Sequence, residues 1–179
     1  MPDCHPPTVE TKAALRQLAD VDRASRPVPV LDEALAPLLE TATRVAAYLP
    51  FGTEPRVTVQ PGWLLPVVTS DWDLDWGVFG DDLVTRGRLT EPDGPLLGRE
   101  AIADCDLVLV PALLVARDGT RLGKGKGCYD RALARATGLT VALLGDGELV
   151  DALPREPYDV AVKAAATPSL GVVHLPTKM

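Results

Sequence analysis

Histidine is nearly absent from the 179-residue sequence: His5 and His174 are the only two. Neither lies in a promising context, so Ser-His-Asp chemistry is poorly supported. Cysteine is also scarce. Cys4, Cys105 and Cys128 are odd in number, widely spaced and without a CxxC pair, which argues against a disulfide framework or a structural zinc site. No apolar run is long enough to span a membrane, and the opening MPDCHPPTVE lacks the hydrophobic stretch of a signal peptide. A cytoplasmic location is expected. Positive charge is in deficit: 18 Lys and Arg face 25 Asp and Glu, for a net charge of −7. That balance argues against bulk binding to nucleic acid or to an anionic membrane. An anion site in this chain must therefore be a local basic pocket.

Hydrophobic residues make up 46% and charged residues 24%, as in ordinary globular proteins, and the length suits a single domain over residues 1–179. Seventeen prolines and fifteen glycines imply many loops. TVETKAALRQLADVDRAS reads as a first helix, with Leu15, Leu18 and Ala19 as its apolar stripe and Thr8 or Thr11 as N-cap. Lys12 and Arg16 are four apart and share a face, which by spacing alone reads as a solvated basic face. VLDEALAPLLETAT reads as a second helix, with Leu31, Leu35, Leu38 and Leu39 inward and Pro37 as a possible kink. RVAAYLP, WLLPVV and LDWGVF read as strands. The link from residue 50 to 62 is too short for a usual parallel crossover and is expected to be irregular or a single helical turn. RGRLTEPDGPLLGREAIADC reads as loop.

DLVLVPALLV is the strongest strand signal. A glycine-rich loop follows it, then a helix YDRALARAT ending at Gly138, then a strand TVALLG. GELVDALP reads as a short helix, DVAVKAAATP as a strand or extended segment, and SLGVVHL as a last short strand. Alternating strands and helices indicate one α/β domain on a mostly parallel sheet.

The loop itself is RLGKGKGCYDRALAR. Glycines occupy every second position from Gly123 to Gly127, with Lys124 and Lys126 between them. A loop after a parallel strand lies where α/β proteins bind ligands. Its glycines free backbone N–H groups to face an anion, and Arg121 and Arg131 add charge to the two lysines. A phosphate cradle is one reading; a plain glycine-rich turn with exposed lysines is the other. The stretch has neither the GK[ST] ending of a P-loop nor a GxGxxG pattern. Asp130 could cap the helix or reach a magnesium ion on a bound phosphate. Tyr129 could pack in the core or stack on a planar ligand. Cys128 could be a small filler or a thiol of lowered pKa.

The block DLVLVPALLVARDGTRLGKGKGCYDRAL resembles the 5-formyltetrahydrofolate cyclo-ligase family, whose pattern is an apolar strand, Val-Pro, then Gly-x-Arg-Leu-Gly-x-Gly-x-Gly-Tyr-Tyr-Asp. Weaker agreement covers most of the chain: Lys12 and Arg16 on the first helix, YLPFGTEP with Glu54, LTEPDGP, and LPREPYD with Asp159. The resemblance implies a Rossmann-like, three-layer α/β sandwich and an ATP-dependent cyclisation of 5-formyltetrahydrofolate to 5,10-methenyltetrahydrofolate. It implies that Lys12, Arg16, Arg121, Lys124 and Lys126 hold the ATP phosphates, wrapped by Gly123, Gly125 and Gly127. Asp130, with Asp159, would bind Mg²⁺, and Asp130 also borders the nucleotide. Glu54, Cys128 and Tyr129 would face the folate. Arg121, Lys126 and Tyr129 would be the catalytic groups. The implied partners are ATP and a small-molecule substrate, for a monomer or homodimer.

Departures from the family pattern are Cys128 for the first tyrosine, Ala116 for an aspartate, Tyr158 for a histidine, Lys163 for an acid and Glu148 for a glutamine. They leave three readings open: a divergent folate cyclo-ligase, a paralogue that activates another amide or formyl oxygen with ATP, and a non-catalytic nucleotide- or folate-binding protein.

Overall fold

The computed structural model describes residues 11–80 and 82–176. Three helices and twelve strands follow in order: α1 (Lys12–Ala24), α2 (Asp32–Leu39), β1 (Val45–Ala46), β2 (Leu64–Val68), β3 (Leu74–Val78), β4 (Leu83–Arg86), β5 (Leu89–Pro92), β6 (Leu107–Pro111), β7 (Leu114–Ala116), β8 (Arg121–Leu122), α3 (Cys128–Leu133), β9 (Leu139–Leu143), β10 (Leu149–Val150), β11 (Ala164–Thr167) and β12 (Gly171–His174). A 3-10 helix spans Arg99–Asp104.

Seven strands form the main sheet in the order β12-β11-β9-β6-β1-β2-β3. The inner pairings are parallel, and the two edge strands β12 and β3 are antiparallel to their neighbours. Side chains alternate across the sheet. Leu107, Leu109, Val141 and Leu143 enter one core with Leu31 and Leu35, beside α2. Val108, Val110, Ala142 and Leu144 enter the other with Ile102, Ala132 and Leu133, beneath the 3-10 helix and α3. Burial on both faces explains why β6 reads as a continuous apolar run rather than an alternating one. The arrangement is the expected three-layer α/β sandwich.

Several local expectations change. Thr11 is the N-cap of α1, its hydroxyl accepting from Ala14 N at 3.2 Å; Thr8 lies outside the described residues. Leu18 is exposed rather than part of an inward stripe, whereas Ala19 is buried. The segment read as loop holds β5 and the 3-10 helix and begins at the last residue of β4, with which β5 forms a hairpin paired Leu83↔Pro92 through Arg86↔Leu89. DLVLVPALLV splits at Ala112 into β6 and β7, because β7 leaves the main sheet to pair with β8 and β10. GELVDALP contributes strand β10, not a helix: its Leu149 and Val150 add to the edge of β7. The chain from residue 50 to 62 is irregular, fastened by Tyr48 Oη donating to Pro55 O at 2.8 Å and by a bridge between Val30 and Arg56. No described helix is long and apolar enough to cross a membrane.

Candidate active site

The glycine-rich loop does not leave β6 directly. It follows β8, after a short excursion through β7. Arg121 returns it to the end of the main sheet: its Nη1 donates to the carbonyl of Pro111, the last residue of β6, at 3.1 Å. The loop therefore still opens at the carboxyl end of a central parallel strand, where α/β sheets bind ligands. Gly125 and Gly127 have φ of 96° and 71°, a region that residues with a Cβ rarely adopt. Gly127 is the N-cap of α3.

A cavity of about 770 Å³ opens over this loop. Its walls include all of the site residues expected from the sequence: Lys12, Arg16, Glu54, Arg121, the loop 123–127, Cys128, Tyr129, Asp130 and Asp159. Lys12 and Arg16, which spacing alone left as a solvated face, come from the start of α1 to meet segments more than a hundred residues away, Lys12 the stretch of Glu156 and Asp159 and Arg16 the glycine-rich loop. Arg16 Nε donates to Gly123 O at 2.7 Å. Its guanidinium lies so close to Gly125 that a Cβ there would stand 3.2 Å from Cζ. Lys12 Nζ binds Asp159 Oδ2 at 2.5 Å and Glu156 Oε2 at 3.0 Å. Burial opposes the charge on Lys12, but these two carboxylates outweigh it and hold its pKa above the ordinary lysine value. Lys124 Nζ pairs with Glu54 Oε1 at 2.8 Å, and Phe51 N donates to Glu54 Oε2 at 2.8 Å. Lys126 Nζ sits 4.6 Å from the ring centroid of Trp72.

Beneath the loop, Arg121 is buried. Its Nη2 faces Asp130 Oδ2 at 3.5 Å, and its Cζ lies 5.6 Å from the Tyr129 ring centroid. Burial pulls its pKa down, against the pull of Asp130. The Tyr129 hydroxyl is buried with no hydrogen-bond partner among the described residues. Burial, and then the nearby Glu54 carboxylate, push its pKa far above the ordinary value. It remains a neutral donor, and an unsatisfied buried donor lining a cavity favours a polar ligand that accepts from it.

The two aspartates expected to bind metal lie on the same wall. Val160 N donates to Asp130 Oδ1 at 3.2 Å, and Asp159 is the residue before it. Asp159 Oδ2 also accepts from Glu156 N at 2.8 Å. No described cluster of three His, Cys, Asp or Glu side chains forms a complete metal cage. Both carboxylates are engaged by cations in this structure, Asp159 by Lys12 and Asp130 by Arg121; as oxygen donors they are of the type that Mg²⁺ takes.

Of the departures from the family pattern, Cys128 and Tyr158 line the cavity, while Ala116 and Lys163 do not. Lys163 Nζ instead donates to Thr137 O and Gly138 O, at 3.0 and 2.6 Å, tying down the turn after α3. Burial raises the pKa of the Cys128 thiol, which agrees with the small-filler reading rather than with a thiol of lowered pKa. The six residues of α3 supply little dipole against that desolvation.

Three features escaped the sequence reading. Trp72 borders the cavity from the turn between β2 and β3. Glu91, also on the wall, is a buried carboxylate that accepts from Val68 N at 2.9 Å; LTEPDGP was the available signal for it. Arg23 and Glu148 form a buried two-point ion pair, Nε to Oε1 at 2.7 Å and Nη2 to Oε2 at 2.5 Å. Their separation of 125 positions leaves no local pattern.

Residues 10–168 match the model of the 5-formyltetrahydrofolate cyclo-ligase family. A 5-formyltetrahydrofolate cyclo-ligase of Mycolicibacterium smegmatis is 40% identical over 148 residues, which span 73% of this chain and 76% of the relative. That of Escherichia coli is 30% identical over 90 residues, about half of each chain (49% and 50%). Among solved structures, the 5,10-methenyltetrahydrofolate synthetase of Aquifex aeolicus superposes with a TM-score of 0.73 at 24% identity, covering 94% of both chains. The corresponding protein of Mycoplasma pneumoniae gives 0.66 at 21% identity, covering 87% of this chain and 98% of that one. These two show that the fold is shared.

Proposed function

The chain belongs to the 5-formyltetrahydrofolate cyclo-ligase family, and on that premise we propose that it converts 5-formyltetrahydrofolate to 5,10-methenyltetrahydrofolate with Mg-ATP. The observation that carries this reading is the convergence of Lys12, Arg16, Arg121, Lys124 and Lys126, from two distant stretches, on one glycine-lined cavity of an otherwise acidic protein.

In this reaction the formyl oxygen attacks the γ-phosphorus of ATP and ADP departs. The neighbouring aniline nitrogen then attacks the activated formyl carbon, loses its proton, and expels phosphate as the ring closes. Such chemistry asks the protein for positioning and charge neutralisation rather than a covalent nucleophile, which agrees with the dearth of histidine. Lys12, Arg16, Lys124 and Lys126 hold the phosphates, and the backbone of Gly123, Gly125 and Gly127 wraps them. Arg121 and Lys126 offset the charge that develops during transfer. Glu54 accepts hydrogen bonds from the folate, while Tyr129 donates its free hydroxyl. Asp130 and Asp159 would hold Mg²⁺, which would screen charge on the phosphate oxygens. Ligand entry exchanges internal ion pairs, Lys12–Asp159 and Lys124–Glu54, for pairs with phosphate and substrate.

The replacement of an aromatic ring by Cys128 on the cavity wall favours one second reading: the same ATP activation applied to a different amide or formyl compound. Calorimetry with a non-hydrolysable ATP analogue and Mg²⁺ tests what both readings share. Saturable binding that weakens in Lys126→Ala supports them; no binding by the wild-type protein would refute both.

A further inference from the structure

Trp72 is the one non-glycine residue with a positive φ, 61°, among the described residues. A bulky side chain seldom adopts this backbone conformation, and it persists only where its surroundings impose it. Here three arginines do so. Arg99 Nη1 and Nη2 donate to Asp71 at 2.9 and 3.0 Å. Arg135 Nη1 and Nη2 donate to Asp73 at 3.1 and 2.6 Å. Between them, Arg131 Nη1 donates to the carbonyl of Trp72 itself at 3.0 Å. Inside the turn, Asp73 N donates to Thr69 Oγ1 at 3.2 Å.

The same Arg131 Nη1 also donates to Lys126 O at 3.2 Å. One guanidinium on α3 thus fastens the main chains of Trp72 and Lys126 to each other. Their side chains meet as well, with the ammonium 4.6 Å from the indole centroid. Trp72 has no core to fill: it is half exposed, whereas Trp76, four residues on, is fully buried. A lysine on a glycine-rich loop has a long, freely rotating stem, and fixing its ammonium costs rotamer entropy. An aromatic face at this distance offsets that cost before any ligand arrives.

We propose that Trp72 is a positioning residue for the nucleotide site: its indole face, held in a strained turn by three arginines, presets the Lys126 ammonium at the mouth of the glycine loop. This role rests on the reading of Lys126 as a phosphate ligand, and Trp72 acts through that lysine rather than on the reacting atoms.

A double-mutant cycle tests it, with affinity for a non-hydrolysable ATP analogue measured by calorimetry and turnover measured alongside. Trp72→Leu is expected to weaken nucleotide binding by about three- to fivefold and to lower kcat by no more than Lys126→Met does, and Trp72→Phe, which keeps a ring face, to restore most of the affinity. In a Lys126→Met background, Trp72→Leu is expected to add no further loss. A full additional loss in that background would overturn the proposal while leaving Lys126 as a phosphate ligand. So would unchanged affinity in Trp72→Leu, or a Phe variant as weak as the Leu variant. Unchanged affinity in Lys126→Met alone would instead refute the phosphate reading of Lys126, and the role of Trp72 with it. Should leucine unfold the turn, seen as a lowered melting temperature, the cycle run with Trp72→Gln, which removes the ring face but keeps a planar polar side chain, decides: a loss as large in Lys126→Met as in wild type contradicts the proposal.

Discussion

Lys12 Nζ stands 2.5 Å from Asp159 Oδ2, joining the first turn of α1 to a segment 147 positions further along the chain. Glu156 shares the same ammonium, so one lysine neutralises two carboxylates on the cavity wall. Lys12→Ala should lower nucleotide affinity by about ten- to a hundredfold, the worth of one lost charge-assisted contact, with little change in far-UV circular dichroism. Unchanged affinity would remove Lys12 from the phosphate site.

Gly125 has room problems of two kinds: a φ of 96° and the Arg16 guanidinium 3.2 Å from where a Cβ would stand. Gly125→Ala is expected to strain the loop and push Arg16 from its bond to Gly123 O. The ATP KM should rise well above that of the wild type, and the melting temperature should fall only modestly, since the loop lies outside both cores. A KM equal to the wild-type value would mean that Arg16 and the loop backbone do not act together.

How much of this was legible in the sequence depended on where the physics was local. β6 announces itself because it is buried on both faces, so its run is uninterrupted. The loop stands out because glycines and lysines alternate over five residues, Gly123 to Gly127. The β4–β5 hairpin was missed although its signal was present: Gly87, with φ of 64°, and Arg88 form a two-residue turn between Arg86 and Leu89, but the strands are short and their apolar residues, Leu83, Val84, Leu89 and Pro92, do not alternate with polar ones. β10 was misread because two residues pairing with β7 carry no periodicity of their own. The contacts of Lys12 with Asp159 and of Arg23 with Glu148 depend on tertiary approach, which spacing does not encode; the family resemblance put Lys12 and Asp159 in one site but did not pair them.

Arg23 and Glu148 are both buried, and Glu148 further accepts from Gly145 N at 2.7 Å while Arg23 donates to Ala112 O at 2.6 Å. Glu148→Ala leaves a buried guanidinium without its counter-charge, so urea unfolding should show a loss of about 3–5 kcal/mol. Glu148→Gln keeps an acceptor for Arg23 and should cost less than Glu148→Ala. Equal losses would mean that charge, rather than the hydrogen-bond geometry, dominates.

Acid should weaken the turn that carries Trp72. Hydrogen bonds from Thr69 and Arg99 lower the pKa of Asp71 to about 2, and Arg135 lowers that of Asp73, from an ordinary value of 3.8. Because both are depressed on folding, their stabilisation is complete above about pH 4 and is lost as pH falls toward 2. Asp73→Asn should lower the melting temperature at pH 7 and flatten its decline between about pH 4 and 2. A decline parallel to that of the wild type would show that Asp73 is not a source of acid sensitivity.

Cys128→Tyr restores the aromatic ring of the family pattern to the cavity wall. If the substrate is the folate, its KM should fall by up to about tenfold, the worth of one ring contact. A rise in that KM, with ATP affinity unchanged, would indicate a wall shaped for another compound.

The central claim is that phosphate transfer from ATP drives closure of the folate ring. Its most direct test is to mix the protein with Mg-ATP and 5-formyltetrahydrofolate and follow methenyl absorbance and ADP together. Both are expected to rise in a one-to-one ratio, and neither to rise in Lys126→Ala at the wild-type rate. ADP release without methenyl formation, or methenyl formation without ADP, would contradict it.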